Sequence, residues 1–284
     1  MIISVASGKG GTGKTTVSTN LAAALHEKVT FLDCDVEEPN AHLFLRPEIE
    51  KNDKVYTLIP EIDEDRCDQC HKCVDICRFG AITVVGKSFL LFPELCHSCG
   101  GCIVVCPQKC LSEGKRELGY IESGKSGTIN FHRGVLRIGE AMSPPLIKQL
   151  RKKGSTADPV IIDAPPGTSC PVIAAMHGVD YIVLVTEPTP FGLHDLRLAH
   201  ETVKELGIPC GLVINRADLG DSKVQEYAKD NNLPILLEIP FSKQIAELYS
   251  RGIMMVDELH EWREVFRNLY VDIERQVTTA RSTS

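Results

Sequence analysis

Eight of the twelve cysteines fall between Cys67 and Cys106, and their spacing is regular. Both halves of this stretch follow the pattern C-x₂-C-x₂-C-x₃-C, and the second half starts 29 residues after the first. A disulfide framework needs an oxidising compartment, and residues 1–5 carry neither the basic region nor the cleavage site that would indicate secretion. Thiolates in a reducing compartment are soft metal ligands, so the repeated spacing predicts bound metal.

The pattern resembles the cluster-binding sequence of the bacterial ferredoxins. In that family three close cysteines bind one [4Fe-4S] cluster, and the fourth cysteine binds the other cluster. Zinc is the main alternative, although zinc ribbons use pairs of C-x₂-C rather than complete quartets. The first quartet departs from the family pattern at Arg78, where proline is usual. The resemblance implies one cluster on Cys67, Cys70, Cys73 and Cys106, and a second on Cys96, Cys99, Cys102 and Cys77.

A second chemical motif opens the chain, where residues 8–15, Gly-Lys-Gly-Gly-Thr-Gly-Lys-Thr, satisfy G-x-x-x-x-G-K-[ST]. The glycines allow backbone N–H groups to surround phosphate oxygens, and a helix N-terminus adds a favourable partial charge. We expect Lys14 to reach the β- and γ-phosphates of ATP and the Thr15 hydroxyl to ligate Mg²⁺. A Gly-rich turn without nucleotide is the alternative. The residues predicted to contact the nucleotide are Gly8, Gly10, Gly11, Thr12, Gly13, Lys14, Thr15 and Thr16.

Lys9 places a second lysine inside the same loop. The variant K-G-G-x-G-K-T-T resembles the deviant phosphate loop of the MinD/Mrp-type ATPases, which include the nitrogenase iron protein. The resemblance implies Mg²⁺-dependent hydrolysis of ATP to ADP by an ATP-dependent dimer, either a homodimer or a heterodimer with a paralogue. It also implies that Lys9 crosses the dimer interface and stabilises charge on the partner's nucleotide. From the residues alone, a solvated lysine at a loop tip is the alternative.

Two further stretches resemble the switch regions of that family. The first is residues 33–40, Asp-Cys-Asp-Val-Glu-Glu-Pro-Asn, which follow the second predicted strand. There the resemblance implies that Asp35 orients or deprotonates the attacking water, with Asp33 as a supporting acidic group. The second is an apolar stretch that ends in a Walker B aspartate, Asp163, implied to hold Mg²⁺ through water. The N–H of Gly167 is implied to sense the γ-phosphate.

The resemblance also covers the residues that would read the nucleotide base. Asn215-Arg216 stands at the end of a predicted strand. Asn215 is implied to offer a hydrogen-bonding amide, Arg216 to stack on the base, and Pro240 to lie where backbone groups contact adenine. The catalytic residues implied by the whole resemblance are Lys9, Lys14, Asp35 and Asp163.

Short apolar runs alternate with helical patterns through most of the chain. Runs rich in Val, Ile and Leu on both faces are typical of buried parallel strands. Their alternation with helices predicts an α/β fold of the P-loop NTPase type, with a doubly wound, mostly parallel sheet that binds ligands where its strands end. The predicted strands are Ile2–Ser7, Val29–Asp33, Val160–Asp163, Tyr181–Thr186, Gly211–Ile214 and Ile235–Ile239. The predicted helices are Lys14–Glu27, Pro144–Lys153, Leu193–Leu206, Ser222–Asn232, Lys243–Ser250 and Glu261–Arg281.

The alternation stops between about Leu58 and Lys115, where cysteines crowd together and helical periodicity disappears. We therefore predict a small α+β domain of the bacterial ferredoxin type at residues 59–115. It is inserted into an ATPase domain formed by residues 1–58 and 116–284. After the insert, short strands are predicted at Gly119–Lys125, Thr128–His132 and Val135–Ile138.

Charge and hydropathy exclude some partners. The net charge is −7 and basic residues form no block, which argues against a nucleic-acid partner. The last predicted helix has an apolar stripe, as does the membrane-targeting helix that ends MinD. Its polar face mixes four acids with three bases and would attract anionic lipid weakly. We therefore predict that this helix docks on the ATPase domain, with no stable membrane association and a cytoplasmic location.

The two resemblances together imply that ATP gates electron delivery, or the assembly of a cluster or metal–sulfur cofactor, on an acceptor protein. The alternative is a MinD/ParA-like positioning or signalling ATPase whose clusters sense redox state. Cys34 and Cys210 are expected to be core thiols, and Cys110 is expected to need no role. Cys170 is either a packed thiol or, as in the nitrogenase iron protein, a ligand to a cluster shared between subunits.

Overall fold

The structure is a computed structural model that describes residues 1–25, 28–86, 88–154 and 159–282. The chain divides into two compact units. The larger unit comprises residues 1–52, 121–135 and 147–284, and the smaller unit comprises residues 53–120 and 136–146. The smaller unit includes all of the predicted insert, residues 59–115, and is longer than it.

Strands and helices alternate through most of the larger unit. The strands of the chain are β1 Ile2–Ala6, β2 Val29–Asp33, β3 Glu48–Ile62, β4 Ile82–Val85, β5 Ser88–Leu91, β6 Leu111–Ser126, β7 Ile129–Leu136, β8 Val160–Asp163, β9 Tyr181–Thr186, β10 Cys210–Asn215 and β11 Ile235–Ile239. The helices are α1 Lys14–Ala24, α2 His42–Leu45, α3 Lys72–Ile76, α4 Gly101–Val104, α5 Pro144–Arg151, α6 Cys170–Met176, α7 Pro190–Leu206, α8 Lys223–Asp230, α9 Lys243–Ser250, α10 Met255–Glu258 and α11 His260–Ser282.

The strands of the larger unit belong to a sheet in which nine strands are described, in the order β11-β10-β9-β1-β8-β2-β7-β6-β3. Every neighbouring pair from β11 to β7 is parallel. β3 and β6 continue along the chain into the smaller unit. The mostly parallel α/β sheet predicted from the sequence is thus confirmed. Helix α1 begins at Lys14 as predicted, and the last two residues of that predicted helix, 26 and 27, lie outside the described residues.

Helix α11 docks on the larger unit through its apolar stripe. Phe266 and Ile273 are fully buried in the main core, which they share with strand residues such as Phe31 and Phe131. The Arg267 guanidinium also donates a hydrogen bond to the carbonyl of Ala24 at the end of α1, at 3.0 Å. The predicted docking of the last helix is therefore confirmed, and its apolar face is covered by the protein's own core.

β3 was not predicted from the sequence, and the strands that follow the cysteines begin and end at other residues than predicted. β3 starts with an exposed and mostly polar run, residues 48–52, and lies last in the strand order. Edge strands do not need apolar faces, and charged side chains protect them from pairing with other chains. β6 starts at Leu111 and not at Gly119. Its first residues were not recognised as a strand because their alternation of buried and exposed positions includes polar side chains. The separate strand Val135–Ile138 is wrong, since β7 ends at Leu136 and Ile138 is 99% exposed.

The docking of α11 predicts a stability difference between two faces of one helix. Phe266→Ala removes a fully buried ring and should lower the free energy of unfolding by about 3–5 kcal/mol. Val271→Ala, at an exposed position of the same helix, should change it by less than about 0.5 kcal/mol. Urea denaturation followed by circular dichroism measures both. Equal effects at the two positions would show that the helix is not docked.

Candidate functional site

A cleft of about 300 Å³ lies in the larger unit where several parallel strands end. Its lining comes from the phosphate loop after β1, the segment after β2, and the ends of β10 and β11. Loops from neighbouring strands meet at this edge of a parallel sheet, which is where ligands bind. The lining residues are Gly10, Gly11, Gly13, Lys14, Thr15, Thr16, Asp35, Glu38, Asn40, Pro166, Asn215, Arg216, Pro240, Phe241, Ser242, Ile245, Ala246 and Tyr249.

The phosphate loop has a backbone that only glycine tolerates at two positions. Gly11 and Gly13 have φ angles of +81° and +92°, in the left-handed region. A Cβ atom at Gly13 would also overlap the side-chain amide of Asn215. The loop leads directly into α1, whose first residues, Lys14 to Thr16, line the cleft. The unpaired N–H groups of a first helical turn favour an anion at this position.

Two residues predicted to contact nucleotide support the loop from outside the cleft. Gly8 lies against α7, where a Cβ atom would overlap the backbone carbonyl of Asp195. Gly167 has a φ angle of +99°, and its N–H donates to the carbonyl of Ser7 at 2.9 Å. The N–H group predicted to sense the γ-phosphate is therefore bonded to the strand end that precedes the phosphate loop.

A buried charge cluster forms the floor of the cleft. The Lys14 ammonium lies 3.0 Å from Asp163 Oδ1 and 3.6 Å from Asp35 Oδ2. The Thr15 hydroxyl donates to Asp163 Oδ2 at 2.7 Å. Burial alone lowers the pKa of Lys14, but Asp163 and Asp35 outweigh that effect and raise the pKa above its ordinary value. Lys14 therefore stays charged and neutralises the carboxylates around it.

Asp33 and Asp35 are carboxyls with a strong affinity for protons. Asp33 is fully buried, and burial together with the charge of Asp163 raises its pKa to about 8. It accepts hydrogen bonds from the N–H groups of Ala41 at 3.0 Å and Asp35 at 3.3 Å. Burial raises the pKa of Asp35 to about 6, although Lys14 opposes this. A carboxylate with a pKa close to neutral pH is suited to accept a proton from water.

The register of the sheet explains why these groups meet. In the parallel ladder between β2 and β8, Asp33 lies directly opposite Asp163. Asp163 is also paired with Val5 of β1, the strand that leads into the phosphate loop. Three strand ends are thereby aligned, and Lys14 at the start of α1 reaches the Asp163 carboxylate that lies between Val5 and Asp33.

The side chain of Asn215, at the end of β10, is bonded to the phosphate loop. The Asn215 side-chain amide donates to the Thr12 carbonyl at 3.0 Å, and its oxygen accepts the N–H of Arg216 at 3.1 Å. Arg216 has a φ angle of +53°, and its guanidinium pairs with the carboxylate of Glu187 at 3.0 Å. Both residues line the cleft, and their predicted contact with a nucleotide base stays a prediction.

The cleft has an apolar wall that the sequence analysis missed. After Pro240, the side chains of Phe241, Ile245 and Tyr249 recur at four-residue intervals, and Ala246 lies beside them. This spacing places Ile245 and Tyr249 on one face of α9, and Phe241, two residues before the helix, lies on the same side of the cleft. The interval is visible in the sequence, but it is also typical of an ordinary core-facing helix. A planar aromatic ligand group would fit against this wall.

Lys9 does not line the cleft of its own chain. Its ammonium lies 6.0 Å from the centre of the Phe191 ring, at the start of α7. Phe191 is 77% exposed, so this cation–aromatic contact is at the surface. The charge of Lys9 is therefore presented outward, beside an exposed aromatic ring.

The two cysteine loops of the smaller unit share one backbone conformation. Each positive φ angle in the first loop has a counterpart 29 residues later. Alternating right- and left-handed residues turn successive N–H groups to one side and create a concavity for an anion. The pairs are Gln69 and Ser98 (+58° and +56°), His71 and Gly100 (+61° and +71°), and Gly80 and Lys109 (+63° and +47°).

Hydrogen bonds connect the two repeats in a symmetric way. The N–H of Asp63 donates to the carbonyl of Cys110, and the equivalent N–H of Phe92 donates to the carbonyl of Ala81, both at 2.8 Å. A small core between the repeats includes buried Ile82, Cys102 and Leu111, with half-buried Cys73 and Cys106 packed against it. The repeated spacing in the sequence is therefore also a repeat of the backbone.

The first close trio of cysteines and the remote cysteine of the second repeat line one small cavity. These are Cys67, Cys70, Cys73 and Cys106, and Cys110 joins them. Among the residues that the structure describes, no three His, Cys, Asp or Glu side chains converge on a point that could hold a single metal ion. A cubane cluster binds each thiolate through a different iron, so its ligands surround a volume instead of a point.

The second trio is similarly grouped. Burial raises the pKa of Cys102 to about 11, and the neighbouring thiols Cys96 and Cys99 act in the same direction. The sulfur of Cys77, the remote cysteine of the first repeat, accepts the N–H of Ala81 at 3.3 Å. Burial likewise raises the pKa of Cys73 in the first trio. The raised pKa values keep the thiols of Cys73 and Cys102 neutral until a cation displaces their protons.

The four remaining cysteines differ from one another. Cys34 is buried after β2, and burial raises its pKa. Cys210 is half-buried at the start of β10. Cys170, expected as a packed thiol or a shared ligand, is exposed as the first residue of α6, so the packed alternative is wrong. Cys110 was expected to need no role, but it is buried against the sulfur of Cys106.

No helix within the described ranges combines the length and the apolar character needed to cross a membrane. A family profile described as the CobQ/CobB/MinD/ParA nucleotide binding domain matches residues 3–255. The uncharacterised protein MJ0579 of Methanocaldococcus jannaschii is 31% identical over 281 residues, which cover 94% of this chain and 97% of that protein. An iron-sulfur cluster carrier protein of Aquifex aeolicus is 26% identical over 269 residues, covering 88% of this chain and 60% of that protein.

Among solved structures, the septum site-determining protein MinD of Pyrococcus horikoshii, complexed with Mg-ADP, has a TM-score of 0.60 to this chain. The match covers 97% of this chain and 96% of that protein at 24% sequence identity. At this identity the likeness concerns the fold, which is the α/β P-loop fold with a large, mostly parallel sheet. It agrees with the fold class predicted from the sequence for the larger part of the chain.

The raised pKa of Asp33 predicts how stability changes with pH. The folded protein keeps a proton on Asp33 up to about pH 8, whereas the unfolded chain releases it near pH 4. The free energy of unfolding should therefore fall as pH rises through this window. Asp33→Asn removes the charge and keeps an oxygen acceptor for the Ala41 N–H. In nucleotide-free protein it should raise the free energy of unfolding at pH 8 by about 1 kcal/mol or more, relative to its effect at pH 4.

Urea denaturation at both pH values measures this difference. Asp230→Asn, which removes an exposed carboxylate at the end of α8, serves as the matched control and should show the wild-type pH dependence. If Asp33→Asn also keeps the wild-type pH dependence, Asp33 is already ionised in the folded protein at pH 8.

Proposed function

Because the chain belongs to the CobQ/CobB/MinD/ParA family of nucleotide-binding domains, we propose that its cleft binds and hydrolyses ATP. We also propose that the cysteine loops hold two [4Fe-4S] clusters. Nucleotide-dependent dimerisation is then coupled to the delivery of electrons or clusters to an acceptor protein. The observation that carries the proposal is that one chain has both the buried Lys14–Asp163–Asp35 cluster in its cleft and a twice-repeated cysteine loop.

At the nucleotide, each charged group of the cleft has a separate role. The N–H groups of the phosphate loop and Lys14 bind the phosphates, and the Thr15 hydroxyl and Asp163 would hold Mg²⁺, which neutralises phosphate oxygens when bound. Asp35 lines the cleft and has a pKa of about 6, so at neutral pH it can accept the proton of the attacking water. Asp33 holds Asp35 by accepting its backbone N–H. Asn215 keeps the phosphate loop in shape, and the wall after Pro240 receives the base.

Lys9 completes the site of a second subunit. In its own chain the ammonium lies over exposed Phe191 and away from the cleft, so it is available to a neighbouring molecule. A lysine that enters the partner's site would stabilise charge on the transferred phosphoryl group in the role of an arginine finger. The resulting dimer forms with ATP and dissociates after hydrolysis.

The cysteine loops fit [4Fe-4S] clusters better than they fit zinc. A cubane with four thiolates carries a net negative charge, and left-handed residues such as those in both loops can direct N–H groups toward an anion. Cys106 lines the cavity of the first trio, as crossed ligation between the repeats requires. The bound clusters would supply one-electron chemistry, while the protein supplies the thiolates and the N–H groups around them.

The acceptor is a protein that receives an electron or a cluster. The name of the Aquifex aeolicus relative, an iron-sulfur cluster carrier protein, favours cluster delivery. A positioning ATPase with a redox sensor is less favoured. Helix α11 buries its apolar stripe in the core, so this helix has no apolar face available for a membrane. The free thiols of the chain suit a reducing, cytoplasmic location.

A mixing experiment tests whether Lys9 acts across the dimer. Lys9→Ala and Asp35→Asn should each abolish most ATP hydrolysis while leaving ATP binding intact. In a mixed dimer, the Lys9→Ala subunit keeps its own Asp35 and receives Lys9 from its neighbour. An equimolar mixture should therefore recover about one quarter of the wild-type rate, because half of the dimers are mixed and each has one working site.

Phosphate release measures the rates, and each variant alone at the same total concentration is the control. If the mixture stays as inactive as the separate variants, Lys9 does not act in the partner's site. If Lys9→Ala alone hydrolyses ATP at the wild-type rate, Lys9 has no part in catalysis.

Iron and sulfide counting tests the clusters. Protein purified or reconstituted without oxygen should contain about eight irons and eight sulfides per chain. Cys70→Ala and Cys99→Ala, at equivalent positions of the two repeats, should each reduce both counts by about half. Cys210→Ala, outside the repeats, is the matched control and should leave the counts unchanged. About two zinc ions per chain without sulfide would contradict the cluster proposal.

A further inference from the structure

Cys110 lies beside the cysteines proposed to bind the first cluster. Its sulfur is 3.3 Å from the sulfur of Cys106, and the residue is only 5% exposed. Cys106 and Cys110 line the same cavity as Cys67 and its two neighbours in the first trio. We propose that Cys110 is a reserve ligand, which can take over the cluster iron that Cys106 holds. This inference rests on the cluster binding proposed above and adds a ligand that the ferredoxin-like spacing does not include.

The backbone holds Cys110 in place from both sides. The N–H of Lys109 donates to the carbonyl of Cys106 at 3.2 Å, and Lys109 itself adopts the left-handed conformation with a φ angle of +47°. This tight turn brings position 110 back onto position 106. On the other side, the carbonyl of Cys110 accepts the N–H of Asp63 at 2.8 Å, and β6 begins at the next residue. The backbone therefore fixes the sulfur of Cys110 beside the sulfur of Cys106, and no loop movement is needed to bring them together.

The first repeat shows that the fold does not need a sulfur at this place. The residue equivalent to Cys110 is Ala81, which makes the same backbone hydrogen bond, to the N–H of Phe92 at 2.8 Å. Ala81 is 1% exposed, so a methyl group is enough to fill the position. The residues that follow, Ile82 and Leu111, occupy equivalent places in the small core. The extra sulfur thus distinguishes the first cluster site from the second, where the remote cysteine has an alanine as its neighbour.

Ligand exchange between the two sulfurs balances without an oxidant or a reductant. With a cluster bound, the iron–sulfur bond to Cys106 would break as a bond from the same iron to Cys110 forms. The proton of the Cys110 thiol moves to the Cys106 thiolate across their 3.3 Å contact. The charge of the cluster and the oxidation state of its irons stay the same. The cluster would therefore keep four ligands when Cys106 leaves it, because Cys110 binds the iron that Cys106 releases. This would allow Cys106 to be exchanged, for instance, while an acceptor protein offers its own thiolate.

Single and double substitutions in the loaded protein test this inference. Cys106→Ala should keep about eight irons per chain, because Cys110 replaces the lost ligand, and its reduced EPR spectrum should differ from that of the wild type. Cys110→Ala, which reproduces the residue found at position 81, should keep both the iron count and the wild-type spectrum. The double variant C106A/C110A should lose the first cluster and keep about four irons. Alanine is used because a serine oxygen can itself ligate iron.

Cys77→Ala is the matched control, since Cys77 is the remote cysteine whose neighbour is Ala81. It should lose the second cluster and keep about four irons. If Cys106→Ala loses as much iron as the double variant, Cys110 is not a ligand and the inference is wrong. If the wild-type protein holds no clusters, the proposed function fails as well. If the wild type holds two clusters and Cys106→Ala loses the first one, the reserve-ligand inference is wrong while the proposed function stands.

Discussion

The alignment of three strand ends around one buried lysine is the constraint on which the nucleotide site depends. Asp33 and Asp163 face each other across the ladder between β2 and β8, and β1 beside them leads into the phosphate loop. Asp163 is fully buried, and without Lys14 its charge would have no partner in a region that water does not reach. The lysine neutralises it, and in doing so it is fixed where phosphate oxygens would bind. A shift of β2 by one residue would turn Asp33 to the other face of the sheet and separate the cluster.

The cysteine loops depend on a different constraint, which is duplication. Two copies of one loop have the same pattern of left-handed residues and exchange equivalent hydrogen bonds between their ends. Cys106 lines the cavity of the other repeat, as the proposed crossed ligation requires. The copies are unequal at Cys110 and Ala81, and this difference gives one site a spare thiol. Along the chain, the segment after β2 that lines the nucleotide cleft is followed by α2 and β3, and β3 leads directly to the first loop.

Much of this arrangement could be predicted from the sequence, because local patterns determine it. Apolar runs identified the central strands, and the glycines and lysines of residues 8–15 identified the phosphate loop. β3 was missed because an edge strand needs few apolar residues. The contact between Cys110 and Cys106 was missed because it depends on a turn at Lys109, a residue type that seldom adopts a positive φ angle. The hydrogen bond from Asn215 to Thr12 was not predicted, because it depends on the distance between two loops that are remote in sequence.

The central claim is that the clusters respond to the nucleotide. The most direct test is a redox titration of the loaded protein, followed by EPR, with Mg-ADP and then with a non-hydrolysable ATP analogue. The midpoint potential of at least one cluster should differ by about 60 mV or more between the Mg-ADP state and the ATP-analogue state, which is a tenfold change in a one-electron equilibrium. Identical potentials in both states, in protein shown to bind both nucleotides and both clusters, would contradict the claim and leave two independent modules on one chain.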